Sequence, residues 1–362
     1  MSNPKSQISN AKPKVLLGMS GGIDSTVSAM LLLEQGYEVI GVTFRTYDSM
    51  KESCIAKEKG CCTIESIMEA KHNAEKMGFE HHIVDFRETF KRCVIQNFID
   101  EYMSGRTPNP CVLCNSTIKW GEMLHLADEM GCDFIATGHY ARVAEKAGHV
   151  YLRMGADTKK DQTYFLWMLT EEQLKRTIFP LGDYTKEQVR KIARQHGYEK
   201  LAVKKESQEI CFIPNDDYRS FLRTHVPDYK ERVHAGEYVD AQGKVLGMHE
   251  GYVNYTIGQR KGLGIALGHP AYITHIDAKT NRITLGTNDD MWATELHFRP
   301  FAIRPFGLSP LTAKVRYRSQ AVPVKKIDGN CIEFATPVWG ITPGQSVVLY
   351  SDDLVVGGGI IQ

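Results

Sequence analysis

An α/β fold, built as a parallel-sheet domain followed by a small central domain and a C-terminal β-barrel, is what this sequence predicts, and three observations carry it. From Lys14 onward short apolar runs alternate with amphipathic segments, the pattern of strands buried on both faces and covered by helices. A glycine-rich turn, "GMSGGIDST" (Gly18 to Thr26), falls where the first apolar run hands over to the first helix. After Cys211 the helical period gives way to short alternating stretches punctuated by glycine.

Each element follows in order. "KVLLGM" (Lys14 to Met19) and "EVIGVTF" (Glu38 to Phe44) read as strands, joined by a helix that starts near Asp24 and ends before Gly36. Thr63 is placed to cap the next helix, in which Ile64, Ile67, Ala70, Ala74 and Met77 recur at steps of three or four until Gly78 closes it. "HHIVDF" and "DFIATGHY" supply further strands, and Lys160, Asp161 and Gln162 read as a helix start, with Asp161 favourable beside the helix dipole. "GEYVDAQGKVLG", "NRITLGT" and "VKKIDGNCIEFATPVWGITPGQSVVLY" are β patterns. The expected divisions are a disordered lead over 1–13, an α/β domain over 14–214, a central domain over 215–285 and the barrel over 286–362.

Composition excludes several classes of function. The chain has 362 residues, 42% hydrophobic and 24% charged, enough for two or three domains with cores of their own. No stretch is apolar enough to cross a bilayer and "MSNPKSQISNAKPK" carries no apolar run of signal type, so a cytoplasmic protein with no membrane partner is expected. In that reducing compartment nine cysteines are not a disulfide framework. A net charge of +1 argues against a wholly basic nucleic-acid binder and leaves room for a local patch. The span from His297 to Lys326 is such a patch: Arg299, Arg304, Lys314, Arg316, Arg318, Lys325 and Lys326, with no acidic residue, interleaved with Phe298, Phe301, Phe306 and Tyr317.

Two short stretches carry chemistry. In "GMSGGIDST", Gly21 and Gly22 allow a tight turn that brings N–H groups to a ligand at the positive end of a helix, Ser20, Ser25 and Thr26 add hydroxyls, and Asp24 is a candidate holder of magnesium on bound phosphates. There is no G-K-[ST], so this is not the loop that transfers a γ-phosphate. In "GRTPNPCVLCN" (Gly105 to Asn115), Cys111 and Cys114 stand three apart behind Pro108 and Pro110. Such a pair is half a zinc site, a redox dithiol, part of an iron–sulfur set, or one working thiol beside a bystander. The prolines favour extended backbone from Asn109 to Cys111, and Cys114 is expected at the start of the following helix, where the helix N-terminus lowers a thiol pKa. Cys54, Cys61 and Cys62 fit no common zinc spacing, and Cys93, Cys132 and Cys331 read as packing residues.

The S-G-G-x-D-S arrangement resembles the PP-loop of the ATP pyrophosphatases, and with "GRTPNPCVLCN", "ATGHYAR", "KKDQTYFL", "ESQEICFI" and "VRYRSQ" the chain resembles the bacterial tRNA-specific 2-thiouridylases from Val15 to about Tyr350. That resemblance implies a PP-loop domain of the adenine nucleotide alpha hydrolase type, a central domain and a barrel that contributes to tRNA binding. It implies a sulfurtransferase that adenylates O2 of the wobble uridine and transfers sulfur from a cysteine persulfide, using ATP and magnesium. The implied ATP contacts are Gly18, Met19, Ser20, Gly21, Gly22, Ile23, Asp24, Ser25, Phe44 and Gly138. Cys114 is the implied nucleophile and Cys211 the persulfide carrier, with Asp24 also catalytic; Asn109, Pro110 and Cys111 face the target base, and His139, Lys160, Asp161, Gln162, Arg316, Tyr317 and Gln345 face the tRNA. The implied partners are the wobble-uridine tRNAs for Lys, Glu and Gln, and a cysteine desulfurase or sulfur-relay protein. The family's motif usually has aspartate where Cys111 stands, which leaves two readings of Cys111 open, a base contact or a small buried residue. The rival functions are an iron–sulfur tRNA 2-thiocytidine synthetase on Cys111, Cys114 and Cys211, a non-thiolating ATP-dependent amide ligase, and an RNA-binding module with a vestigial nucleotide loop.

Overall fold

Three consecutive residues of the first strand, Val15, Leu16 and Leu17, are fully buried, which only a central strand covered on both faces achieves. The structure is a computed structural model that describes residues 12–47, 64–204, 210–304 and 310–362. Thr63, Cys54, Cys61, Cys62 and Phe306 lie outside them. Strands β1 (Lys14–Gly18), β2 (Glu38–Arg45), β3 (His81–Asp85) and β4 (Phe134–Thr137) form a parallel sheet. After a hairpin of β5 (Ala141–Lys146) and β6 (His149–Met154), β7 (Thr177–Ile178) completes it in the order β3-β2-β1-β4-β7.

The two faces of this sheet are covered by different helices. Val15 and Leu17 pack on Ala29 and Leu32 of helix α1 (Ile23–Glu34) and on Ala70 and Ala74 of α2 (Ile64–Met77). Leu16 shares a second cluster with Trp120, Met123 and Ala127. A helical run over 87–103, α3, and another over 110–129, α4, each contain a π-helical stretch, Lys91–Ile95 and Asn115–Glu122. Neither stretch has a signal in the periodicity of the sequence. Lys186–Gln195, here α5, begins with a capping box between Thr185 and Gln188 and packs on α1.

Beyond it, β8 (Gly236–Val239), β9 (Val245–His249), β10 (Tyr272–Asp277) and β11 (Arg282–Gly286) form a four-stranded sheet in the order β10-β11-β8-β9. Its core is continuous with α3: Phe90, Phe98, Phe212, Phe221, Tyr238 and Ile273 belong to one cluster. The C-terminal strands β12 (Trp292–Ile303), β13 (Leu311–Lys314), β14 (Val322–Asp328), β15 (Cys331–Trp339), β16 (Ser346–Ser351) and β17 (Leu354–Ile361) run β12-β15-β14-β13-β16-β17, and β12 pairs with β17 to close the barrel. The β5–β6 hairpin extends the barrel's sheet through β6 and β17, with Leu354 opposite Arg153 and an Arg153–Asp353 ion pair at 2.6 Å. A segment that precedes the central sheet in sequence therefore belongs by hydrogen bonding to the C-terminal one. No described helix is long and apolar enough to cross a membrane.

Candidate active site

The nucleotide loop sits at the switch point of the parallel sheet, where β1 pairs with β2 on one side and β4 on the other, at the carboxyl ends of the strands. Its shape is made locally. Ser25 and Thr26 hydroxyls donate to the Gly22 carbonyl at 3.1 and 2.9 Å, and the Ser20 N–H donates to Ser25 Oγ at 3.3 Å. Gly22 is the N-cap of α1 with no side-chain cap, so the first-turn N–H groups of α1 carry the partial positive charge that receives a phosphate. Gly21 has φ +70, and a Cβ there would stand 2.2 Å from the Ser66 carbonyl oxygen. Gly138, just past β4, lies against the same helix end: a Cβ would stand 2.9 Å from the Asp24 carbonyl carbon. Phe44 closes β2, half-buried and edge-on to Phe86.

The Asp24 carboxylate, expected to hold magnesium, is engaged by protein donors. Its oxygens accept from Lys186 Nζ at 2.8 Å each and from the Tyr140 hydroxyl at 2.8 Å. Lys186 is 6% exposed at the N-terminal end of α5 and carries the positive charge beside the loop. The residues present therefore fit a phosphate group on the loop, with the Lys186 ammonium beside it, held on Asp24. Tyr140 is in turn fixed by Gln162, whose side-chain oxygen accepts from the Tyr140 N–H at 2.9 Å. Sequence reasoning missed Lys186 and Tyr140. The capping box of "YTKEQ" marks a helix start at Lys186, yet nothing local shows that its side chain turns inward to Asp24.

The cysteine loop is organised differently. Asn109 is the N-cap and Pro110 opens α4, so Cys111 stands in the first helical turn and Cys114 a turn later, directly before the π-helical stretch. This corrects two expectations: the backbone leaves extended geometry at Pro110, and the helix starts there, four residues before Cys114. Proline supplies its fixed φ at a position whose N–H has no helical partner, so it begins the helix instead of postponing it. Cys111 is exposed to solvent, yet enough protein surrounds it that desolvation pushes its thiol up, against the pull of the Lys119 ammonium. It is not a small buried residue.

His139 lies in the same surroundings. Burial holds its pKa well below the ordinary value, with Lys119 acting in the same direction, and Thr137 Oγ1 and His139 Nδ1 are 2.8 Å apart. Its ring stands 5.6 Å from that of Trp120. Lys119 thus acts electrostatically on both Cys111 and His139, and this link too escaped the sequence.

Cys114 and Cys211, far apart in sequence, are both half-buried and both pack against the same apolar cluster, which includes Phe90, Phe98, Ile118 and Phe212. Phe212 fixes the position next to Cys211, buried to 1% exposure and edge-on to Phe90 at 5.6 Å and Phe98 at 5.3 Å. Cys132 is buried and Cys93 half-buried on the same cluster, as expected of packing thiols, whereas Cys331 lies at the barrel surface near Glu295 and His297.

Several residues expected at the tRNA surface are turned inward. Asp161 is 4% exposed and accepts from the Gly155 N–H at 3.0 Å and Thr163 Oγ1 at 2.7 Å; it precedes a short 3-10 turn, Thr163–Phe165, not an α-helix. Burial raises its pKa despite those bonds. Tyr317 packs on Phe165, ring centres 4.4 Å apart. Arg316 donates to the Ile257 carbonyl at 3.3 Å and to Thr342 Oγ1 and lies over the Trp339 ring at 5.5 Å, joining the central unit to the barrel. Arg304 donates to the Leu169 carbonyl. Lys325 and Lys326 pair with Glu333 and Asp328, acids that stand outside the basic span in sequence but beside it in the barrel. Arg299 and Arg318 remain exposed, as do Arg260 and Lys261 on the glycine-rich loop, while Lys160 is half-buried. Gln345 donates its side-chain amide to backbone carbonyls of the cysteine loop.

Comparison with known proteins agrees with this layout. The family model described as tRNA methyl transferase HUP domain matches residues 13–215, that of the tRNA methyl transferase PRC-barrel domain 219–287, and that of the Aminomethyltransferase beta-barrel domain 296–361. The tRNA-specific 2-thiouridylase MnmA of Amoebophilus asiaticus is 47% identical over 359 residues, covering 97% of this chain and 96% of that protein. Its counterpart in Cytophaga hutchinsonii is 45% identical over 359 residues, 97% of this chain and 98% of that protein, and the one in Salinibacter ruber 45% over 361 residues, 97% and 94%. With similarity of that level running through all three units, the chain belongs to the tRNA-specific 2-thiouridylase family.

Proposed function

We propose that this chain is an ATP-dependent tRNA-uridine 2-sulfurtransferase acting on the wobble uridine. The observation that carries the reading is that Cys114 and Cys211 pack against one apolar cluster, in a chain whose glycine turn at the sheet's switch point is shaped for a phosphate. Two thiols at one site suit sulfur transfer, whereas methyl transfer has no need of the second.

The chemistry follows from the poor leaving group at C2 of uridine. The carbonyl oxygen attacks the α-phosphorus of ATP, pyrophosphate leaves, and the C2 oxygen becomes part of an AMP leaving group. The α1 N-terminus receives the pyrophosphate, and the Lys186 ammonium, held on Asp24, supplies the cation that a G-K-[ST] lysine supplies elsewhere. The Cys114 thiolate then attacks the inner sulfur of a persulfide on Cys211. A Cys114–Cys211 disulfide forms, hydrosulfide is released, and that hydrosulfide displaces AMP from C2. The oxidising equivalent of the persulfide ends in the disulfide, which an external thiol reductant clears. His139, kept neutral by its surroundings, adds no charge to the base cleft, and the exposed Cys111 lines it.

The substrates in this reading are the wobble-uridine tRNAs for Lys, Glu and Gln, and the sulfur donor is a cysteine desulfurase or relay protein. Exposed Arg299, Arg318, Arg260 and Lys261 supply phosphate contacts. Mass spectrometry of nucleosides from tRNA incubated with the protein, ATP and a sulfide source tests the reading. A sulfur-for-oxygen mass gain on the wobble uridine is expected, and unmodified uridine in the presence of ATP hydrolysis rejects it.

A further inference from the structure

The cysteine loop is poorly equipped to hold its own shape. Pro108 and Pro110 lack N–H groups, Asn109 caps α4 without a side-chain bond, and the first backbone bond within the new helix, from the Val112 N–H to the Asn109 carbonyl, is long at 3.3 Å. The bonds that fix Thr107 and Pro108 come instead from the barrel. Gln345 Nε2 donates to the Thr107 carbonyl at 2.8 Å and the Pro108 carbonyl at 3.2 Å, and the Thr107 N–H donates to the Pro343 carbonyl at 2.9 Å. Gly344 lies between, at φ +90, where a Cβ would stand 2.8 Å from the Thr107 carbonyl oxygen. The turn is itself anchored: the Gly344 N–H donates to the Ile361 carbonyl at 2.9 Å and the Ile361 N–H to the Gln345 carbonyl at 2.8 Å.

We infer that the barrel turn Pro343–Gln345 is a positioning clamp for the cysteine loop, with Gln345 as its donor, so that the barrel sets the placement of Cys111 and Cys114 and is not only an RNA surface. Gln345 spends its amide on the carbonyls just before Pro110, the residue that starts the helix carrying both thiols. Small displacements there are passed along α4, and transfer between positioned groups is sensitive to errors of about 1 Å. Gln345 is therefore a positioning residue and does not touch the reacting atoms. The inference rests on Cys114 as a working thiol for its consequence in turnover, but the clamp itself is tested without turnover.

The experiment uses the full chain with Gln345→Met, which keeps the length and removes both donors. Gln345→Glu repeats it should the methionine variant unfold. In the absence of tRNA, hydrogen exchange in a peptide spanning 105–113 is expected to quicken ~10-fold while the rest of the barrel keeps its protection. At saturating tRNA, kcat for thiolation is expected to fall ~10-fold with KM for tRNA within two-fold of wild type. Unchanged exchange in that peptide overturns the clamp, and so does a defect confined to KM, which would make Gln345 an RNA contact. Should the wild-type chain show no thiolation at all, exchange alone decides, so failure of the proposed function and failure of the clamp are separate results.

Discussion

The nucleotide loop and the cysteine loop solve one problem in opposite ways. The turn from Ser20 to Thr26 is shaped by bonds to the Gly22 carbonyl and to Ser25 Oγ that span no more than five residues, and Asn73, Tyr140 and Lys186 add bonds to Thr26 and Asp24 from further along the chain. At Thr107 and Pro108 the fixing bonds come from Pro343 and Gln345, more than two hundred residues away. The glycine turn is thus shaped mainly by its sequence neighbours, with distant residues holding Asp24 and Thr26, whereas the start of the cysteine loop is fixed by the barrel. A chain with a disordered barrel would keep a phosphate-binding loop and lose the register of its cysteines.

The largest expected effect sits on the assembled side. Cys114→Ser and Cys211→Ser each reduce thiolation below about a thousandth of wild type, because the proposed transfer needs both thiols, while Cys111→Ser retains a measurable part. Peptide mapping after turnover without reductant finds Cys114 joined to Cys211. A Cys111–Cys211 linkage with active Cys114→Ser would move the nucleophile to the exposed thiol.

At the nucleotide loop, Asp24→Asn and Lys186→Met lower tRNA-dependent pyrophosphate release by about 100-fold and leave tRNA affinity within a few fold. Lys186→Met also costs about 2 kcal/mol of stability, less than a fully enclosed pair because the Asp24 side chain is 33% exposed. Pyrophosphate release at the wild-type rate in both variants would remove the loop's assigned role.

A smaller contrast separates two arginines a single residue apart. Arg316→Ala lowers stability by about 2 kcal/mol, since Ile257 and Thr342 lose a donor between the central unit and the barrel, and it leaves the salt dependence of tRNA binding unchanged. Arg318→Ala leaves stability unchanged and flattens that dependence by about one unit of slope. Equal slopes in the two variants would restore the basic span as one continuous surface. The smallest effect is on Cys111: its raised thiol makes alkylation climb at a higher pH than for an ordinary cysteine, and Lys119→Met shifts the profile higher still by removing the charge that opposes burial. A profile that moves down in that variant would separate Lys119 from the thiol.

Much of this was legible before the structure. The first two strands, the helix from the glycine loop and the change to β structure after Cys211 follow from periods of two and of three to four, which are local properties. The tRNA-facing residues were less so. The span from His297 to Lys326 carries no acid in sequence, yet Glu333 on the paired strand and Asp328 two residues past the span pair with two of its lysines, and Arg304 and Arg316 point into the protein. Charge counted along a chain does not report charge left on a surface.

The sequence by itself determined the parallel sheet, the phosphate-binding turn and the identity of the thiols, because each rests on hydrophobic period, glycine conformation or residue chemistry within a dozen positions. Only the tertiary structure decided that Asp24 is held by Lys186, that Asp161 is interior, that the β5–β6 hairpin joins the barrel and that Gln345 faces the cysteine loop. Those outcomes depend on which side chains meet after the sheets close, and a buried ion or amide takes whichever partner satisfies it there, however distant in sequence.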